Sequence, residues 1–208
     1  MTMSAFDETA LRGILAGHPL TPVSRGKRPP SAVLVPLLKA PDGWSVLFEV
    51  RSADIVQGGE ICFPGGAIEP GEAPEEAARR ETCEELKLRE EQIEVLAPLH
   101  RIAGPGGSDL TSFAALLHGY AGTWSPDEVD HIFTLPLTWL RDHPPQTATA
   151  NMVFENPDDF PYDKIPGGRD YPWQPVPRTY YFYDTPHDEC IWGITGELLF
   201  HFLELLPD

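Results

Sequence analysis

The chain has 208 residues, with 15 Lys and Arg against 32 Asp and Glu, a net charge of -17. So acidic a protein is a poor general nucleic-acid binder, since that role needs basic surface to displace counterions. It also repels anionic substrates unless metal and local arginines reverse the field at a site. No apolar run reaches membrane-spanning length, the first residues lack a basic leader with a long apolar core, and the length suits one domain. A cytoplasmic protein is expected, without nucleic-acid or membrane partners. Cys62, Cys83 and Cys190 are far apart, form no CxxC, and are expected as reduced, packed thiols. The histidines show no ligand spacing.

Residues 5–17 read as a short amphipathic helix, with Phe6, Leu11, Ile14 and Leu15 as its apolar positions. A Pro-punctuated linker follows and carries Arg25, Lys27 and Arg28, which read equally well as a phosphate contact or as a solvated linker. The division expected is an N-terminal helix and linker over 1–30 and the working domain over 31–208. Ser31–Lys39 and Trp44–Val50 are strand-like runs joined by Pro41-Asp42-Gly43, a hairpin signal. Arg51-Ser52 comes directly after the second run.

The chain is organised around residues 65–88. Pro64 precedes the pair Gly65-Gly66, and Glu69-Pro70-Gly71-Glu72 is a turn signal. From about Ala73 the residues favour helix, with Pro74 tolerated in the first turn. Glu81, Glu84 and Glu85 fall within an arc of about 100° on that helix. Ala78, Thr82 and Leu86 form the neighbouring stripe, expected to be buried. Like charges so spaced weaken a helix. A hard divalent cation removes the penalty, and Mg²⁺ is typically held by a few carboxylates plus substrate phosphates. A Glu-rich helix alone is more often a solvated face.

The whole ordered pattern is Gly66, five residues, Glu72, seven residues, then Arg80-Glu81 and the pair Glu84-Glu85. It resembles the signature of the Nudix hydrolases. The resemblance implies an α/β fold, an α/β/α sandwich with a mixed β-sheet. It implies Mg²⁺ (or Mn²⁺) held by Glu81, Glu84 and Glu85, with Glu81 and Glu85 the most direct ligands and the Gly65 carbonyl completing the site. Glu72 and Arg80 match a pair that supports the loop and helix through a salt bridge. Where the family usually has a glycine that caps the helix, this chain has Lys87; lysine suits the negative end of the helix dipole, so a later or different helix end is expected.

The approach to the motif, Arg51-Ser52, then Gly59 and Phe63-Pro64-Gly65-Gly66, resembles the coenzyme A pyrophosphatase branch of that family. Arg51, Gly65 and Gly66 are the expected substrate contacts. Two departures stand beside this: the loop is one residue shorter, and Ile55 or Val56 stands where a basic residue is often found.

Ile93–Ala103 and Thr111–Tyr120 are further strand candidates, split by Gly104-Pro105-Gly106-Gly107. In residues 125–140, Ser125 can cap a turn containing Asp127 and Glu128. Several Nudix enzymes recruit a glutamate from beyond the motif helix, and Glu128 matches that role. Glu81, Glu84 and Glu128 are thus the candidate bases. Residues 142–177 read as a long Pro-rich loop whose aromatics, Phe154, Phe160, Tyr162, Tyr171 and Trp173, suit stacking on a base, lining a pantetheine channel or, as the favoured reading, stapling the loop to the core. Arg178–Asp184 alternates as a strand. A terminal helix follows with Ile194, Leu198, Phe202 and Leu205 on one face, and its Ile191-Trp192-Gly193 opening, with Thr195, also resembles the coenzyme A branch.

The resemblance implies hydrolysis of a nucleoside-linked pyrophosphate, with coenzyme A or an acyl derivative giving 3′,5′-ADP and a phosphopantetheine. ADP-ribose or NADH as substrate, and a nucleotide-sensing module without turnover, remain open. So does a homodimer.

Overall fold

The computed structural model describes residues 29–41, 43–103 and 109–207. The helix expected over 5–17, the cations Arg25, Lys27 and Arg28, and the 104–107 turn lie outside the described residues.

Strand β1 (Ser31–Ala40) is the centre of the main sheet. It turns back antiparallel into β2 (Gly43–Arg51), with Leu37 opposite Val46. Short strands β3 (Ile61–Cys62) and β4 (Gly65–Ala67) pair with β2 and β1. Strand β5 (Ile93–Ala103) pairs antiparallel with β6 (Asp109–Leu117), which runs parallel to β1 with Val33 opposite Ser112. Strand β7 (Val129–Pro136) covers the other side of β2. One parallel pairing among antiparallel ones makes the sheet mixed.

Helices pack on both faces, which gives the α/β/α layering. Alternation along the strands sends Ala32, Leu34 and Leu47 to one face, against Ala77, Ala78 and Leu86 of α1 (Pro74–Leu86). It sends Val35, Val46, Phe48 and Val50 to the other, against Leu198, Leu199 and Phe202 of the terminal helix (Gly193–Glu204). Phe48 stacks between Phe63 at 5.2 Å and Phe133 at 5.3 Å. Each such buried side chain stabilises by about 1.5–3 kcal/mol, so the sheet is clamped from both sides. A short α2 (Leu137–Asp142) follows β7, and the terminal helix is α3.

Four expectations need correction. The 142–177 segment is not structureless: β8 (Gln146–Met152) pairs along its whole length with β9 (Val176–Asp184), and β9 carries the two-residue β10 (Cys190–Ile191). Its aromatics do not staple it to the core. Phe154, Phe160 and Tyr171 pack on Trp173 instead, and Phe154, Tyr171 and Trp173 stay exposed. Leu205 lies past the end of α3 and is exposed, because the helix stops at Glu204 before its next inward turn. Cys190 is exposed rather than packed; all three cysteines are free thiols.

Candidate active site

Helix α1 opens at Pro74, whose missing N–H costs nothing in a first turn. Glu76 reaches back to accept the Ala73 N–H at 2.9 Å. The helix ends at Leu86 despite the absent glycine: Lys87 itself takes the left-handed conformation (φ 54°) and donates its N–H to the Cys83 carbonyl. The expected later end does not occur, since this hydrogen bond closes the last turn whatever the side chain.

At about 100° per residue, burying Ala78, Thr82 and Leu86 places Glu85 beside the buried stripe, Glu81 at its rim and Glu84 beyond it. Exposure follows that order: Glu85 is 7% exposed, the Glu81 side chain 22% and the Glu84 side chain 56%. Glu81 and Glu85 thus turn toward the glycine loop, while Glu84 points to solvent, 3.8 Å from Arg80. As the side chains stand, no three His, Cys, Asp or Glu groups among the described residues close around an ion. Glu84 thus stands apart from Glu81 and Glu85, because the helix face that packs on the sheet carries only two of the three inward.

Two glycines make the inward pair possible. Gly65 has φ 143°, and a Cβ there would meet the Ala32 carbonyl oxygen at 2.2 Å. Its N–H donates to Glu85 Oε2 at 2.8 Å. A Cβ on Gly66 would sit 2.4 Å from the carboxyl carbon of Glu81. Arg80 ties the loop to the helix by donating to both oxygens of Glu72, to Glu81 at 2.8 Å and to the Ala67 carbonyl. The guanidinium holds Glu72 below the usual carboxylate range.

Burial pushes the Glu85 carboxyl up to about 8; the Gly65 N–H opposes this, and the charge of Glu81 adds to it. Glu128 sits in the turn that precedes β7. Ser125 closes that turn through its carbonyl, which accepts from the N–H groups of Glu128 and Val129. The turn is fastened on both sides: Ser125 donates its N–H to the Glu85 carbonyl, and Ser52 donates to that of Glu128. Arg51, at the end of β2, donates from Nε to the Val56 carbonyl.

A residue absent from the sequence reading joins this group. Glu49 on β2 is 1% exposed, and neither of its carboxylate oxygens has a hydrogen-bond partner. Burial, then the charge of Glu85, holds its carboxyl well above the ordinary value. Its signal was present as the one acid inside the apolar run Trp44–Val50. Two buried carboxyls whose ionisation burial opposes fit a divalent cation, which would favour their charged form, as does the all-oxygen donor set of Glu81, Glu85 and the Gly65 carbonyl.

A cleft of about 820 Å³ lies beside the loop. Arg51, Cys62, Gly65 and Gly66 line one part of it; Arg178, Tyr180, Trp192 and the first turn of α3 line another. The α1 carboxylates are not on its wall. Gly66 is the link, with its backbone on the cleft and Glu81 directly behind it. Thr195 donates to the Ile61 carbonyl at 2.9 Å and fixes α3 against β3. Arg178 is held by Glu197 at 2.6 Å. Arg178, Tyr180 and Trp192 were not singled out as contacts from the sequence, although the helix opening at Trp192 was.

The NUDIX domain family model matches residues 28–171. "Peroxisomal coenzyme A diphosphatase NUDT7" of Mus musculus is 32% identical over 132 residues, covering 62% of this chain and 55% of the mouse protein. "Nudix hydrolase 3" of Caenorhabditis elegans is 29% identical over 186 residues, covering 85% of this chain and 73% of the worm protein. The chain thus spans about half the length of the mouse relative. Among solved structures, a Nudix hydrolase from M. smegmatis, RenU, superposes with a TM-score of 0.46 at 28% identity, covering 55% of this chain and 74% of that one.

Proposed function

The chain belongs to the Nudix family, and from that premise we propose that it is a metal-dependent pyrophosphohydrolase of nucleoside diphosphates linked to a second moiety. The observation that carries the proposal is the seating of the Gly65-Gly66 backbone on the carboxylates of Glu85 and Glu81. Glu81, Glu85 and the Gly65 carbonyl would hold Mg²⁺ or Mn²⁺. When bound, such a cation neutralises diphosphate oxygens and acidifies an attacking water.

The chain's own residues do the rest. Arg80 keeps Glu72, Glu81 and the loop in one frame. The Gly65-Gly66 backbone lets a diphosphate approach closely, since neither residue carries a side chain on the cleft wall. Arg51 offers positive charge at the same wall. Of the candidate bases, Glu84 is turned outward and Glu81 is engaged by Arg80, whereas Glu128 stands close enough for its charge to act on Glu85. Glu128 is assigned the water's proton.

Coenzyme A, or an acyl derivative, is the substrate we favour. The coenzyme A diphosphatase activity in the name of the mouse relative supports it, as does a cleft whose lining includes Arg51, Arg178, Tyr180 and Trp192, which suit phosphate and a base or pantetheine arm. One observation favours ADP-ribose or NADH instead: residues 52–60 contain no cation, and Val56 is 77% exposed there, so that loop offers no positive charge to an extra phosphate. No described helix is long and apolar enough to cross a membrane; a cytoplasmic site of action and a single working domain over 31–208 belong to the same proposal.

The test is hydrolysis of coenzyme A, ADP-ribose and NADH side by side with Mg²⁺ or Mn²⁺, products separated by chromatography. Preferential release of 3′,5′-ADP from coenzyme A supports the favoured substrate. Preferential cleavage of ADP-ribose or NADH moves it to the second reading. Nucleotide binding without turnover of any of the three overturns the hydrolase.

A further inference from the structure

Among the described residues, Glu49 is the carboxyl with both oxygens buried and without a partner. Every residue from Ser45 to Val50 is buried, and all but Ser45 and Glu49 are apolar. Glu49 is flanked by strand on both sides, opposite Cys62 of β3 and Ile132 of β7. Alternation puts it on the same face as Leu47, the face covered by α1. The charged groups that act on it are Glu85 from the helix, Arg51 from its own strand and Glu128 from the turn before β7. Sheet, helix and turn thus each carry a carboxylate whose charge is felt around this buried position, although as the side chains stand no three of them among the described residues close around an ion.

These carboxylates differ in how they are held. Glu81 is taken by Arg80 and Glu85 by the Gly65 N–H. Both oxygens of Glu49 are free of partners although the side chain is almost fully buried. A carboxylate left in that condition is costly, and folded proteins rarely keep one without a compensating cation or proton donor. The Arg51 charge acts on Glu49 but does not fill the gap, because no Arg51 N–H reaches either oxygen and its Nε is turned to the Val56 carbonyl. A neutral side chain of similar volume would satisfy the packing of this strand at less cost.

We propose that Glu49 is a cation-binding carboxylate of this site, the sheet-borne counterpart of Glu85. The inference rests on the reading of the α1 carboxylates as the metal site. It adds to them a donor from outside the 65–88 segment, and it gives the buried charge on β2 a partner.

The experiment is Mn²⁺ binding to the full chain by titration calorimetry, without nucleotide, for wild type, Glu49→Gln and Glu85→Gln. Melting temperatures are taken alongside in EDTA and in excess Mn²⁺. Glu49→Gln is expected to weaken Mn²⁺ binding about tenfold or more and to shrink the metal-induced rise in Tm. Its Tm in EDTA is expected to stay level or rise, because a buried carboxyl whose ionisation costs stability has been replaced by a neutral amide. Wild-type affinity in Glu49→Gln with loss in Glu85→Gln overturns the proposal and leaves the α1 site standing. Wild-type affinity in both overturns the α1 site, and Glu49 with it. Should Glu49→Gln fail to fold, Glu49→Asp keeps the charge but withdraws it by one methylene. Weaker binding there supports the assignment, and unchanged affinity overturns it.

Discussion

The Gly65–Leu86 loop and helix and the β8–β9 arm treat their conspicuous side chains in opposite ways. In the first, Glu72, Glu81 and Glu85 each have a specific partner, and two glycines stand where a Cβ would collide with backbone or carboxylate. In the second, β8 is exposed along its whole length, and the aromatics from Phe154 to Trp173 find mainly one another, with Arg169 laid over Tyr162 at 4.6 Å. The contrast separates two uses of order. The loop and helix hold charges against their own repulsion, which only fixed geometry allows. The arm needs no such precision, since exposed aromatic contacts tolerate exchange.

The sharpest way to press the contrast is Glu85→Gln. It keeps an oxygen for the Gly65 N–H and removes the charge, so kcat should fall about 10³-fold while the fold persists. A loss below about tenfold would put Glu85 outside the chemistry. Gly66→Ala follows. Its Cβ must displace the Glu81 carboxylate, and a misplacement of that order costs about 10²-fold in kcat/KM. Near-normal turnover would show that the loop yields as freely as the arm.

The pH dependence of stability is a third test. The folded Glu85 carboxyl titrates at about 8, above its ordinary 4.5, and Glu49 is raised in the same direction. The folded state therefore binds more protons than the unfolded state between these values. Stability from this source is complete below the unfolded value and is lost as pH rises through the folded one. In EDTA, Tm should drop by about 5 °C or more from about pH 5 to about pH 8.5, and saturating Mg²⁺ should flatten the fall. His131, raised by its hydrogen bond to Asp130, adds to the same slope but should not respond to metal. A slope unaffected by Mg²⁺ would move its origin away from the carboxylates. The smallest effect belongs to the arm: Trp173→Ala should change stability by less than about 1 kcal/mol and kcat by less than about twofold. A tenfold change in kcat would break the comparison and bring the Phe154–Trp173 aromatics into the site, beside Arg178 and Tyr180 of β9.

The same contrast sorts what could be read from the sequence. The β1–β2 hairpin, β5 and α1 were legible because each writes its partner into a local period or turn. The motif spacing located Glu81 and Glu85, and exposure alone then separated Glu84 from them. Strand β8 was not legible: Gln146–Met152 carries no apolar stripe, and its pairing depends on β9, with Gln146 opposite Phe182. Glu49 was hidden for the reverse reason. Its run reads as a strand with or without it, and only the covering helix turns an ordinary acid into an unpartnered one. Arg178 and Trp192 reach the cleft through folding of distant segments, which no local spacing records.

The most direct measurement is a crystal structure with Mn²⁺ and a non-hydrolysable dinucleotide, with the metal located by anomalous scattering. The expected result is an anomalous peak bounded by the Gly65 carbonyl and the carboxylates of Glu81 and Glu85. A peak only elsewhere, such as the acidic patch of Glu76, Glu90 and Glu91, would contradict it.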